Sequence, residues 1–209
     1  MRDSSIYKEA LTKRAAELFP NFSKLKDFYL VGGTALALQI GHRLSVDFDF
    51  FSKEELPKSI LQEVKRIFPK SSISITYRAP EQLNLLLDEI KTTFFYYPYP
   101  IINEFVEYQK VKMASVLEIA AMKAHAIGKR LAYKDYVDWY FLLKENHIRL
   151  HDVIELAKKK FGGEFNDRLF LGQLVSLVDI QTQKIDFLRD PVDRETIERF
   201  LEKTVADKF

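Results

Sequence analysis

Asp47 and Asp49 stand at alternate positions in the run Leu44-Ser-Val-Asp-Phe-Asp-Phe-Phe51. Leu44, Val46, Phe48 and Phe50 alternate there with Ser45, Asp47, Asp49 and Phe51, the period-two pattern of a strand with one buried face. Residues two apart on a strand share a face, so the spacing predicts two carboxylates side by side. Their joint ionisation is costly unless a cation lies between them. Such oxygen donors suit a hard divalent ion, Mg2+ or Mn2+, which keeps waters and binds substrate phosphates. A pair of ions there would activate an attacking oxygen and steady a leaving pyrophosphate. Val46, Phe48 and Phe50 are expected to anchor the strand in the core. Taken alone, Asp-x-Asp is common, and a solvated acidic strand face explains it as well.

The upstream segment adds specificity. Phe28 to Val31 reads as a short strand running into Gly32-Gly33, with Thr34 capping a helix through Ile40 and Gly41 stopping it. Glycines let a backbone approach a phosphate, and amides at the following helix N-terminus attract its charge. A glycine turn for a triphosphate and a carboxylate pair for metal make one site, in the order strand, turn, helix, acidic strand.

With those residues in view, the chain resembles the polymerase-beta-type nucleotidyltransferases. More narrowly, Gly32-Gly-Thr-Ala-Leu-Ala-Leu-Gln-Ile-Gly-His-Arg-Leu-Ser-Val-Asp-Phe-Asp-Phe-Phe51 resembles the AbiEii/AbiGii nucleotidyltransferase toxin family, with His42, Arg43, Ser45, Asp47 and Asp49 in the motif places. The likeness continues in the Lys123 segment and in Arg130-Leu-Ala-Tyr-Lys134-Asp135-Tyr-Val-Asp138. It implies transfer of a nucleotidyl group from a nucleoside triphosphate to an acceptor such as RNA, by the toxin component of a toxin–antitoxin or phage-defence system with a cognate antitoxin protein as partner. Asp47, Asp49, Lys123 and Asp135 would be catalytic, and Gly32, Gly33, Thr34, Arg43, Ser45, Arg130, Lys134 and Asp138 would bind nucleotide. Lys123 would hold phosphates, and Asp135 or Asp138 would orient the lysine, the metal or the acceptor.

Helical spacing agrees with shared faces: Lys123 and Arg130 lie two turns apart, and Asp135 and Asp138 lie three residues apart. An internal salt-bridge network joining two helices explains the same residues. One departure concerns the third carboxylate that polymerase-beta-type enzymes place on a later strand. The candidate strand reads Ile90-Lys-Thr-Thr-Phe-Phe95, with threonines there. Two carboxylates suffice, or Asp88, Glu89 or a helical Asp substitutes, or catalysis is weakened and the chain is a nucleotide-binding protein that kept the fold.

The elements that position these residues follow from periodicity. An amphipathic helix is expected over about Ser5 to Phe19, and Pro57 opens another through Phe68. Strands are expected at Ile73 to Tyr77, Leu83 to Leu87 and Ile90 to Tyr97, the last two as a hairpin around Asp88-Glu89. Tyr97-Pro-Tyr-Pro100 then ends the mixed half, because prolines cannot continue a sheet. Ser115-Val-Leu-Glu118 reads as a capping box opening a helix to about Arg130, followed by helices at Lys134 to Glu145, His151 to Lys160, Glu164 to Val178 and Asp193 to Ala206. The fold class is α+β: a nucleotidyltransferase-like mixed sheet with flanking helices over 1–100, and a helical half over 101–209 completing the cleft.

Composition sets the outer limits. Thirty-two Lys and Arg nearly balance thirty Asp and Glu, so no global nucleic-acid footprint is visible. The absence of cysteine excludes disulfides and thiolate metal sites and fits a reducing compartment. No apolar run suits a signal peptide or a membrane span, so a cytoplasmic protein is expected. His42, His125, His147 and His151 lack metal-ligand spacing, although His42 lies beside the site. The cluster Phe94-Phe-Tyr-Tyr-Pro-Tyr99 suits core packing or base stacking, and Lys158-Lys-Lys160 suits the C-terminal end of a helix dipole. Only about 45 residues precede Asp47, too few for the nucleotide-sugar fold in which glycosyltransferases use Asp-x-Asp. A phosphatase would need a signature after its acids that is absent here.

Overall fold

Phe48, Phe50 and Ser52 are buried along β2 (Phe48–Ser52), while Asp49 and Phe51 are half-buried on the other face. The expected alternation therefore orients a strand, but one that starts four residues later than Leu44. Val46 is 46% exposed and anchors nothing in the core. The reason is local: the Ser45 amide donates to the Ala10 carbonyl at 2.9 Å, and the Asp47 carbonyl accepts from the Thr34 hydroxyl. Those bonds draw residues 44–47 off the ladder.

The computed structural model describes residues 6–129 and 132–207. They divide into two compact units, Met1–Ser115 and Val116–Phe209. In the first, β1 (Tyr29–Val31), β2, β3 (Ile73–Ala79), β4 (Gln82–Leu87), β5 (Ile90–Tyr96), β6 (Val106–Tyr108) and β7 (Val111–Met113) form one mixed sheet in the order β3-β4-β5-β2-β1-β7-β6. β2 runs parallel to β5 and β1 parallel to β7, and the other neighbours are antiparallel. The expected hairpin is present: Asp88 and Glu89 take φ of 49° and 68°, the mirror-image turn that matches strand twist. Gln109 and Lys110 turn β6 into β7 in the same way, so the sheet resumes after the prolines instead of ending at them.

The opening helix is broken. Short 3-10 turns occupy Lys8–Ala10 and Phe19–Lys24, and only α1 (Lys13–Leu18) is α-helical, because Thr12 caps it through the Ala15 amide at 3.3 Å and Pro20 follows closely. From these turns Phe22 packs against Phe48, Phe50 and Phe68 at ring-centroid distances of 4.9, 4.5 and 4.9 Å. Phe94 stacks on Phe50 at 5.8 Å, so one face of the sheet is a continuous aromatic core. A buried ring of this size contributes roughly 2–3 kcal/mol, which holds β2 and β5 in register. Helix α2 (Gly32–Ile40) is nearly all buried, and α3 (Ile60–Ile67) buries Ile60, Val64 and Ile67.

The second unit is helical: α4 (Val116–Ala126), α5 (Tyr133–Lys144), α6 (Leu150–Phe161), α7 (Asp167–Leu174) and α8 (Arg194–Ala206). Helix α4 stops short of Arg130, with Gly128 at φ +79° just beyond it. Helix α7 is shorter than expected because Asn166 caps it, accepting from the Leu169 amide at 2.9 Å. Trp139 is fully buried against Phe170, with centroids 5.3 Å apart. Among the described residues no helix is long and apolar enough to cross a membrane.

Candidate active site

The turn from β1 into α2 is built around a carboxylate. Val31 pairs with Asp49 across the antiparallel β1–β2 ladder, and the chain then leaves the sheet at Gly32 with φ +69°. Only glycine adopts that backbone cheaply. It also has no side chain to spare, since a Cβ on Gly32 would lie 2.7 Å from Asp49 Oδ2. At Gly33 a Cβ would lie 2.6 Å from Arg43 Nη2 and 3.3 Å from Ser45 Oγ. One turn of backbone at the head of a nine-residue helix is thus faced by an acid, a guanidinium and a hydroxyl. Helix-terminal amides carry partial positive charge, so an anion is favoured there.

Thr34 does not cap α2. The N-cap position is Val31, without a side-chain cap bond, and Thr34 is buried with its Oγ1 2.8 Å from Ser45 Oγ and donating to the Asp47 carbonyl. The threonine therefore ties the loop before β2 onto α2. Asp47 lies one residue ahead of the strand, so this loop, not the pleat of a strand, sets its place. Arg43 is buried, with Nη1 donating to the Leu44 carbonyl at 3.0 Å. His42 is fully buried and is not presented to a ligand.

Thr93 stands where a third acid was sought. The register pairs Asp49 with Thr93 on β5, and Thr93 with Asn84 on β4, so these side chains form one row across the sheet. Asp88 is no substitute. It sits at the hairpin turn, where its carboxylate accepts from Arg14 and from the Ser72 amide. Although burial pushes its pKa up, hydrogen bonds from Ser71, Arg14 and Ser72 outweigh that and hold it at about 2. Among the described residues no three His, Cys, Asp or Glu side chains gather as a metal cluster.

The second unit holds its own charged group. Lys123 Nζ on α4 lies 2.7 Å from Asp135 Oδ1 and 2.6 Å from Asp138 Oδ2 on α5, and all three side chains are buried. The helical spacing of the two acids thus brings both onto one cation, as an interhelical network. Lys134 is half-buried, and Arg130 lies outside the described residues. Sequence reasoning missed a second buried pair, Lys160 Nζ to Glu118 Oε2 at 2.9 Å, with neither side chain exposed. Lys160 is therefore no solvated dipole partner, and Glu118 reaches α6 rather than only closing a capping box. Burial pushes the Lys160 pKa down, against the opposing hydrogen bond and charge of Glu118. A usable signal existed, because Lys160 continues the apolar stripe Val153, Leu156, Ala157 at helical spacing.

Comparison with solved structures shows the fold. A protein of H. pylori provisionally assigned as a nucleotidyltransferase superposes with a TM-score of 0.64 at 22% identity, covering 93% of this chain and 94% of that one. JHP933 of Helicobacter pylori superposes with a TM-score of 0.54 at 18% identity, over 98% of both chains. At such identities the likeness is one of fold, and the fold is of the nucleotidyltransferase kind. An uncharacterized protein of Aquifex aeolicus (strain VF5) is 36% identical over 151 residues, which are 71% of this chain and 73% of the relative. The model of the family described as nucleotidyl transferase AbiEii toxin, type IV TA system, matches residues 16–96 and 86–208. The chain belongs to the AbiEii nucleotidyltransferase toxin family.

Proposed function

We propose that this chain transfers a nucleotidyl group from a nucleoside triphosphate to an RNA acceptor, using a divalent metal, as the toxin partner of a cognate antitoxin protein. The observation that carries the reading is the meeting of Gly32 and Asp49. The bare backbone opening α2 and a carboxylate oxygen share one small space, as phosphate binding beside a metal ligand requires. Asp47 and Asp49 would hold Mg2+ or Mn2+. Both are oxygen donors, half-buried within reach of solvent, and Mg2+ commonly takes one or two carboxylates and completes its shell with water and phosphate. When bound, the metal neutralises charge on the phosphates and lowers the barrier to attack.

The chain's own groups would do the rest. Amides at Gly32 and Gly33 receive the triphosphate, with Arg43 and Ser45 beside them, while Thr34 positions Asp47 through its carbonyl. The acceptor hydroxyl attacks the α-phosphorus and gives up its proton to water, the new oxygen–phosphorus bond forms, and the bond to the leaving pyrophosphate breaks. The resemblance assigns Lys123, Asp135 and Asp138 to this reaction with Lys134. Their mutual pairing supports Asp135 and Asp138 as groups that orient Lys123. A second reading, nucleotide binding without turnover, is favoured by Thr93 standing beside Asp49.

Purified protein, offered magnesium, each labelled triphosphate in turn and total RNA, is expected to label RNA, and the Asp47→Ala, Asp49→Ala double variant is expected to be inert. Equal labelling by both proteins, with all four nucleotides, overturns the catalytic reading. Magnesium-dependent nucleotide binding without transfer supports the second one.

A further inference from the structure

The face of the sheet that carries Asp49 also carries a line of aromatic rings that the reaction does not use. Phe51 follows Asp49 by two residues on β2, so one pleat repeat of about 7 Å separates the acid from the ring on the same face. The register aligns Tyr29, Phe51 and Phe95 as one row across β1, β2 and β5, next to the row of Val31, Asp49 and Thr93. Phe51 meets Phe95 at 5.3 Å and Tyr97 at 4.9 Å, and Tyr97 meets Tyr99 at 5.0 Å. Phe94, the first ring of the Phe94–Tyr99 cluster, points to the opposite face and is spent on the core against Phe28 and Phe50. Phe51, Phe95, Tyr97 and Tyr99 are only half-buried. The cluster therefore splits: Phe94 packs into the core, Tyr96 stands on that same face beside Ser52, and Phe95, Tyr97 and Tyr99 join Phe51 in a half-exposed aromatic line leading away from the carboxylate.

We propose that Phe51, Phe95, Tyr97 and Tyr99 form a stacking platform for unpaired bases of a single-stranded RNA acceptor, placing its terminal hydroxyl at Asp49. This rests on the nucleotidyl-transfer reading and adds where the acceptor lies. The occupant follows from two features. The line is several rings long, whereas the base of a triphosphate whose phosphates sit at Gly32 needs one. The pleat spacing between acid and first ring also matches the separation of adjacent nucleotides in an extended strand, so one nucleotide at Asp49 puts its neighbour on Phe51 and Phe95. Stacking of this kind tolerates any base, because every base has a π face.

The test uses the full chain carrying Asp47→Ala and Asp49→Ala, which cannot turn over, and a short fluorescein-labelled oligoadenylate as probe. Fluorescence anisotropy is expected to show that adding Tyr97→Ala with Tyr99→Ala weakens binding about tenfold or more, the usual scale for lost base stacking. Tyr97→Phe with Tyr99→Phe, which keeps the rings, is expected to bind as the parent does. The same oligoadenylate annealed to oligouridylate is expected to bind weakly and to be indifferent to the alanines. Equal affinity of the alanine variant and its parent for the single strand, with unchanged circular dichroism, overturns the proposal. So does an alanine effect confined to triphosphate binding. Neither result touches the transfer reading, which stands or falls on labelling by the wild-type chain.

Discussion

Substituting Gly32 by alanine perturbs two quantities that the structure separates. The backbone at φ +69° costs an L-residue about 1–2 kcal/mol. The new Cβ would also lie 2.7 Å from Asp49 Oδ2, about 0.7 Å short of ordinary contact, so the carboxylate or the turn must move. Strain alone lowers the melting midpoint by roughly 2–8 °C for a chain of this size. Displacement of a reacting group by about 1 Å costs on the order of a hundredfold in rate. Nucleotidyl transfer is therefore expected to fall about ten- to a hundredfold in Gly32→Ala, far more than the loss of folded protein explains. The chain supplies its own control. Gly162 takes φ +55° with nothing within 4 Å of its would-be Cβ, so Gly162→Ala carries backbone strain without a collision. Both variants are to be compared by thermal melting and by initial rate of transfer at a temperature where each is folded. Near-wild-type rate in Gly32→Ala, or an equal loss in Gly162→Ala, refutes the reasoning.

Two further outcomes bear on the rest of the molecule. Glu118→Ala removes the carboxylate 2.9 Å from the buried Lys160 ammonium and is expected to cost about 3–5 kcal/mol in urea unfolding, whereas Glu118→Leu with Lys160→Met restores stability to within about 1 kcal/mol of wild type. Equal losses in the two would mean that packing, not charge, holds α4 to α6. Asp88 predicts the acid limb: its carboxyl is held at about 2 against an ordinary 3.8, so its contribution is present above about 3.8 and lost as pH falls through 2. Asp88→Asn is expected to lower stability at neutral pH by about 1–2 kcal/mol, the half-exposed Arg14 partner keeping the figure modest, and to flatten acid unfolding between about pH 4 and 2. Superimposable acid-unfolding curves for the two proteins would contradict this.

How much could be read without the fold depended on how local the cause was. The hairpin at Asp88-Glu89, the glycine stop at Gly41 and the strand character of Phe48 to Phe51 are set by neighbours in the chain, and all three are present. The boundaries that moved were set from a distance. Ser45 and Asp47 leave the ladder because Ala10 and Thr34, far away in the chain, bond them. Thr34 has the chemistry of a cap, but the Asp47 carbonyl claims its hydroxyl. Likewise the stripe on α6 carries a signal that Lys160 points inward, while its partner Glu118 on α4 lies 42 residues away in the chain.

By itself the sequence determined which groups the candidate site contains, a glycine pair, Asp47 and Asp49, and that a threonine occupies the later strand. Residue type and short-range spacing are sufficient for that, because backbone freedom and strand alternation act over a few residues. Tertiary structure alone decided what those groups do to one another. Only strand pairing brings Thr93 beside Asp49, and only the turn from β1 into α2 lays Gly32 against that carboxylate. These are contacts between segments distant in the chain, fixed by packing and register, and no periodicity within one segment encodes its neighbour's register.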